Sequence, residues 1–515
     1  MKETERGIFD PLTAAVFTAA AAINLLLALS HGLFTIDDEK HFLLNDDYMI
    51  IQRYAYNAVA KGELTYNPGE RVEGFSEPLI LFALAIPLEL LKVEGRNIGL
   101  VVWIVQALFS GFIAALLYCS GKGYRKWLGC LAAAIYISLP GHFFFSYAGL
   151  SVYWESLGIL LAFVFLKKKG WEFWLVTALL PLVHATMLPI WLMLLTLRSY
   201  RDKKLNPAGL AAALLPMALY FVFRMAYYGS PFPNTYYMKS SGVWNFAGGF
   251  VYLCGFLAWM APLAVLSALV TAYKNKREPA PEAAFGVRDV VPVFLPYLFF
   301  TLKVGGDNFP CYRFYFILLP AVLMILSRLQ PRGWMKGAVA VLAMSQICMN
   351  IYGHFANRQY AGHLLRTESR RVALGLAIRR NTSENALVAA FGIGQIGYYS
   401  RRPMLDMLGK TDPYISRARP KLYRRVSHQK SDPEYAMGRE PAYVIMSYDM
   451  SSLEDVEKLT RESRGEWGYV AELALYSEFR RHYRQLAGPR GPVGIYCRDD
   501  LPCENWSLPE EVYLN

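Results

Sequence analysis

Asp46 and Asp47 stand side by side in "LLNDDYMIIQRYAYNAVAKGELTYNPGERVEGFSEPLI", and Arg53, Arg71 and Glu73 follow in the same stretch. A carboxylate can take a proton from a hydroxyl as that hydroxyl attacks. A guanidinium can hold a phosphate through charge-assisted hydrogen bonds. Two adjacent carboxylates repel, so one of them can carry a raised pKa. Consecutive helical side chains point about 100° apart, so the two do not both reach one atom. The pair could also hold a divalent cation, but two carboxylates alone are a weak metal signal, and no cofactor is required. His142, His184 and His354 fall on different expected helices without ligand spacing and read as core or interface residues.

The element that must position the pair is a helix over "NDDYMIIQRYAYNAVAKG". Tyr48, Ile51, Tyr54, Ala55 and Ala58 recur at helical spacing and predict one apolar face. Asp46, Ile50, Arg53 and Asn57 share another face, Asp46 is placed to cap the helix, and Asp47 lies in its first turn. The expectation is an interfacial amphipathic helix. A carboxylate and an arginine held at the depth of lipid phosphates suit a lipid-linked substrate. Asn67-Pro68-Gly69 then signals a turn. Arg71, Glu73 and Glu77 follow it as a solvated turn or, being charges beside a half-buried apolar segment, as functional groups.

The surrounding sequence is that of a membrane protein. Of 515 residues, 54% are hydrophobic, and the mean hydropathy is +0.23. The apolar excess lies before about residue 352, predicting a polytopic membrane part over 1–352 and a soluble α/β domain over 353–515. Lys2 and Arg6 precede a first apolar run that is too long for a signal peptide and reads as an uncleaved helix. The net charge of +12 sits largely in short loops ("KGYRK", "KKK", "RSYRDKK", "YKNKR", "RLQPRGWMK"), where the positive-inside rule places it in the cytoplasm and no nucleic-acid partner is needed.

That rule orders the spans. The run at 77–91 is short for a crossing, so 35–96 stays outside as one loop whose end dips into the outer leaflet. About 11 spans follow, at 11–34, 97–119, 127–147, 150–166, 171–183, 184–197, 208–224, 246–272, 290–303, 311–328 and 335–352, with the N-terminus inside and the C-terminus outside. Three aromatic loops then share the outer face, carrying Asn234, Tyr236, Tyr237, Lys239, Asp307, Tyr312 and Arg313. In the tail, "NALVAA", "PAYVIMSYD" and "GPVGIYC" read as strands. Gly392-Ile-Gly394-Gln-Ile-Gly397 reads as a turn after a strand rather than a dinucleotide loop. Cys497 and Cys503 could pair in an oxidising compartment.

The stretch "NDDYMIIQRYAYNAVAKGELTYNPGERVEGFSEPL" resembles the first outer loop of the GT-C superfamily of polyprenyl-phosphate-dependent glycosyltransferases, and among them the mycobacterial terminal arabinofuranosyltransferase family and its bacterial relatives. "PNTYYMKS", "GGDNFPCYRF" with "LLP", and "MLDMLGKTDPYISRA" continue the likeness in order. The chain departs from the family pattern at "AGLSVYWES", with Ser151 where a glutamate is usual and Glu155 one turn on, and at "VHATM". These departures leave the sugar open. The resemblance implies a GT-C fold and inverting transfer of a sugar, such as arabinofuranose, from a polyprenyl-phosphate donor to a cell-envelope glycan outside a bacterial inner membrane. It implies Asp46 as the base, with Asp47 as alternate. It implies Arg71, Lys239 and Arg313 on the donor phosphate with Arg53 in reserve, and Asp307, Tyr236, Glu73 and Asn234 toward sugar or acceptor. A flippase or an oligosaccharide ligase acting on a lipid-linked saccharide is the competing reading. No internal repeat of the transporter kind is visible.

Overall fold

The computed structural model describes residues 10–122, 126–239, 244–274, 286–421, 428–446, 468–488, 491–503 and 506–513. Lys2, Arg6, Ser240 and parts of the basic loops at 122–126 and 273–277 lie outside the described residues. The chain packs as two compact units. One comprises Met1–His31, Leu100–Leu219 and Trp244–Ala361; the other comprises Gly32–Gly99, Tyr220–Val243 and Gly362–Asn515.

Among the described residues, four helices are long and apolar enough to cross a membrane: Pro11–Gly32, Ile98–Gly121, Pro207–Tyr228 and Met335–Ala356. A fifth crossing is available if Lys126–Ser138 and His142–Ala148, bent by 69° at a break that contains Pro140, form one span. Shorter apolar helices include Val152–Phe165, Glu172–Val183, Phe246–Trp259 and the stretch Arg313–Ser327. The protein is a multi-pass membrane protein; among the described residues, fewer helices have full crossing length than the eleven spans the sequence suggests. The run at 246–272 is divided into helices Phe246–Trp259 and Ala261–Lys274. Pro262 has no amide to continue the first helix and is tolerated in the first turn of the second.

Close packing in the first unit uses glycine. A Cβ on Gly129 would lie 2.3 Å from the Tyr118 carbonyl oxygen, and one on Gly249 would lie 2.3 Å from that of Leu302. Small residues let membrane helices approach in this way. The aromatics of 142–148 are core residues, with Phe143, Phe144, Phe145 and Tyr147 all buried. His142 bridges the Tyr136 carbonyl at 2.8 Å and the Tyr153 hydroxyl at 2.7 Å, which Asn24 also reaches at 2.6 Å.

The second unit opens with a hairpin, β1 (Leu33–Ile36) and β2 (Glu39–Phe42), turning through Asp37 and Asp38, both left-handed. Helix Asp46–Ala60 follows. A five-stranded sheet in the order β4-β3-β5-β7-β6 is built from β3 (Val388–Ala390), β4 (Met404–Asp406), β5 (Tyr443–Ile445), β6 (Tyr483–Gly488) and β7 (Gly491–Arg498). β4, β3 and β5 run parallel, and β7 and β6 continue antiparallel. Tyr469, Val470, Leu473 and Ala474 of helix Gly468–Leu475 join Ala389, Leu405, Val444 and Tyr496 in one apolar core. A disulfide joins Cys497 to Cys503.

Candidate functional site

Helix Asp46–Ala60 is capped by Asn45, whose side chain accepts the Asp47 amide at 3.1 Å. The cap is therefore one residue earlier than expected, and both aspartates sit in the first turn, where the partial positive charge of the helix end favours them. The expected interfacial character is also corrected. Tyr48 through Ala55 are buried without interruption, and Arg53 and Asn57 face protein rather than lipid headgroups. Arg53 donates to the carbonyls of Tyr66 at 2.9 Å and Arg402 at 2.6 Å, and also to that of Gly397. Asn57 donates to those of Thr65 and Tyr66. Buried polar groups need such partners; the carbonyls of Thr65, Tyr66 and Arg402 lie in irregular backbone and that of Gly397 in helix Gly394–Ser400.

The glycines at 392–397 explain how Asp46 is reached. A Cβ on Gly394 would lie 2.0 Å from the Asp46 carbonyl oxygen, and one on Gly397 2.0 Å from the Tyr66 hydroxyl. Their absence of side chains lets helix Gly394–Ser400 lie directly on the start of helix Asp46–Ala60. The Gly394 amide then donates to Asp46 Oδ1 at 2.8 Å. Helix Arg358–Asn381 adds Arg371, 4.0 Å from the same oxygen and paired with Glu368 at 3.1 Å. Glu368 also accepts from Gln395, which donates to the Leu44 carbonyl at 2.8 Å. Burial raises the Glu368 pKa, against the pull of Arg371. Burial works to lower the Arg371 pKa, but Glu368 and Asp46 outweigh it and raise it. Both contacts of Asp46 fall on Oδ1; among the described residues Oδ2 takes none.

Asp47 pairs with Lys410, which follows β4. Burial opposes the charge on Lys410, while Asp47 and Asp46 raise its pKa. The Lys410 loop is shaped by Asp406, which accepts the Thr411 amide at 2.8 Å and the Leu408 amide at 3.0 Å. Burial lifts the Asp406 pKa to about 6 despite those hydrogen bonds. Asn67 of the expected turn pairs with both the amide (3.0 Å) and the carbonyl (2.8 Å) of Met404, closing the edge strand β4.

Other sequence-derived candidates lie elsewhere. Arg53 is buried and committed to carbonyls, as described. Glu73 is 2% exposed and forked onto Arg224 at 2.5 and 3.1 Å, with the Tyr220 hydroxyl at 2.6 Å. Asn234 is buried and donates to the carbonyls of Gly409, Lys410 and Asp412. These three hold structure. Arg71 is exposed, with its guanidinium 4.9 Å from the centre of the Tyr227 ring. Tyr236 and Lys239 are exposed on helix Asn234–Lys239, and Tyr236 stacks near Phe232 at 4.6 Å. In the first unit, Asp307 pairs with Arg313 at 2.6 Å, directly after the left-handed residues Cys311 and Tyr312.

Among the described residues, no three His, Cys, Asp or Glu side chains gather as a metal set. Glu368, Arg371, Gln395 and Lys410 are the site residues that sequence reasoning missed. Glu368 and Arg371 carried a weak signal as an oppositely charged pair three apart on a basic helix. Lys410 lies within "MLDMLGKTDPY", a stretch that carries the family resemblance.

The fold is a GT-C fold. It is similar to that of ArnT from Cupriavidus metallidurans in the apo state, with a TM-score of 0.56 at 12% identity over 94% of this chain and 97% of that one. It is likewise similar to the same protein bound to undecaprenyl phosphate, with a TM-score of 0.52 at 12% identity over 76% of this chain and 85% of that one. In sequence, 380 residues are 27% identical to a terminal β-(1→2)-arabinofuranosyltransferase of Corynebacterium glutamicum, covering 62% of this chain. The chain spans about half (54%) of the length of that relative. Residues 356–492 match a domain of unknown function, DUF8728. The likeness to ArnT is one of fold, and the likeness to the arabinofuranosyltransferase is one of sequence.

Proposed function

We propose that the protein is an inverting membrane glycosyltransferase that moves a sugar, arabinofuranose in the first instance, from a polyprenyl-phosphate donor to a cell-envelope glycan acceptor on the periplasmic side. The observation that carries this reading is the half-buried acid–base cluster at the start of helix Asp46–Ala60. There Asp46 is steadied on one oxygen by the Gly394 amide and Arg371 while Asp47 is tied to Lys410. Asp46 is the base: Oδ2 receives the acceptor proton as the hydroxyl oxygen attacks the anomeric carbon and the bond to the lipid phosphate breaks. The leaving phosphate already carries its charge and needs cations rather than an acid. Arg71 and Lys239, exposed in the same unit, are assigned to it. Arg313, for phosphate, and Asp307, for hydroxyls, belong to the same proposal. Tyr236 offers an aromatic face to a sugar ring. The undecaprenyl phosphate bound to ArnT supports the lipid of the donor, and the arabinofuranosyltransferase supports its sugar.

Residues 1–352 are read as the membrane part and 353–515 as a periplasmic part, with the N-terminus cytoplasmic. The disulfide supports an oxidising compartment for the latter. Purified protein incubated with candidate polyprenyl-phosphate sugars and a membrane glycan extract should release polyprenyl phosphate. No release with any donor, together with translocation of a lipid-linked saccharide in liposomes, would replace the enzyme by a flippase.

A further inference from the structure

A second pocket lies in the same unit, in a different place from the acid–base cluster. It encloses about 300 Å³ between β2, the segment 94–96, the end of helix Arg358–Asn381 and the end of helix Gly394–Ser400 with Arg401 after it. None of Asp46, Asp47, Glu368, Arg371, Gln395 or Lys410 lines it. Its volume is at the lower end for small-molecule sites. Leu376 is the only aliphatic side chain in its lining, so the walls suit a polar ligand and not an acyl chain.

Two groups in this wall lack protein partners. His41 is 3% exposed, and its Nδ1 takes no hydrogen bond among the described residues. Arg401 Nη1 is likewise buried and unpartnered. A buried donor left unmatched is costly, more so when charged. The Arg401 guanidinium is nonetheless held in place, 3.2 Å from the centre of the Tyr56 ring and 4.5 Å from that of Tyr398. Its backbone has φ +59°, a left-handed position that favours Gly or Asn. A bulky arginine kept at a strained position, set against two rings and with Nη1 unmatched, is placed for something that binds it.

The charge balance points to an anion. Arg96 is matched by Glu39 at 3.0 Å and Glu94 at 2.7 Å. Arg379 and Arg401 then remain as two cations of the lining without a carboxylate beside them in it. We propose that this pocket binds the carboxylate or phosphate of an acidic saccharide, with Arg401 forked onto the anion, Arg379 at its mouth, and His41 Nδ1 on a hydroxyl. The pocket belongs to no step of the proposed transfer, and its occupancy is measurable without turnover.

The test is calorimetric titration of the full chain in detergent with glucuronate, glucose 6-phosphate and neutral glucose. Both anions should bind, and glucose should bind at least about tenfold more weakly. Arg401→Asn retains a residue comfortable at left-handed φ, so it should fold with an unchanged or raised melting temperature and lose anion affinity by about ten- to a hundredfold, as a charged hydrogen bond implies. Arg379→Gln, at an exposed position, should weaken binding less and gives a second readout if the first variant misfolds. Equal affinity for glucose and the anions, no heat with any of the three, or wild-type affinity in both variants would overturn the proposal. Tighter binding of glycerol 1-phosphate than of either sugar acid would assign the pocket to a lipid headgroup and overturn the saccharide.

Discussion

Glu73 and Asp46 are carboxylates of the same loop, each close to an arginine, and they are held in opposite ways. Glu73 is sealed: Arg224 and Tyr220 occupy both its oxygens, and side-chain exposures of 2% and 6% leave the pair no route to solvent. Asp46 is half open: one oxygen is anchored, and side-chain exposures of 14% for Asp46 and 20% for Arg371 keep the pair within reach of a ligand. A sealed pair with both oxygens matched supports the fold. A pair with one oxygen anchored and the other unclaimed can exchange a proton. The contrast separates structure from chemistry better than charge alone, since the sequence places both residues in one stretch of similar character.

The comparison can be broken by substitution. Asp46→Asn should lower transfer by about 10²- to 10⁴-fold, the usual worth of a general base, with thermal unfolding in detergent little changed. Full turnover in that variant would move the base to Asp47. Glu73→Ala should do the reverse. Leaving Arg224 buried and unpaired should destabilise by about 3–5 kcal/mol, seen as a fall in melting temperature or in folded yield, while the molecules that do fold retain activity.

Asp406 sharpens the contrast through pH. Its folded pKa of about 6 lies above the ordinary aspartate value, so the folded state holds a proton that the unfolded chain releases. Its ionisation therefore costs stability as pH rises from about 4 to 6, and acidification from pH 7 to 4 restores it, on the order of 2–3 kcal/mol at most. Wild type minus Asp406→Asn, measured by unfolding across that window, should show this slope. A flat difference would mean that Asp406 ionises normally. The smallest effect is expected for Glu368→Gln, which keeps shape but removes the charge that orients Arg371. It should cost about tenfold in kcat with KM unchanged, and a change confined to KM would assign Glu368 to binding instead.

Much of this was legible. Helix Asp46–Ala60, the strands at 388–390, 443–445 and 491–498, the Cys497–Cys503 pairing and the broken helices near His184 follow from periodicity, turn residues and cysteine placement. The glycines of 392–397 read as structural, and they are, although their reason is close approach to Asp46 and Tyr66 rather than a turn alone. The burial of Arg53 was not legible. An arginine on a helical stripe looks the same from sequence whether it faces a lipid phosphate or the carbonyls of Tyr66, Gly397 and Arg402. The bend at Pro140 and the division at Pro262 were missed because an apolar run counted by length hides where its hydrogen-bond ladder stops.

The sequence by itself determined that the chain is a membrane protein, that its first loop carries an acidic pair, and which superfamily it resembles. These are local properties: hydropathy, spacing and short ordered stretches of residues. The tertiary structure decided which charges are free for chemistry. Arg371, Gly394 and Lys410 reach the acidic pair from more than 300 positions away in sequence, and burial depends on everything packed around a group. Whether a carboxylate is a latch or a base is set by which of its oxygens the fold leaves unmatched.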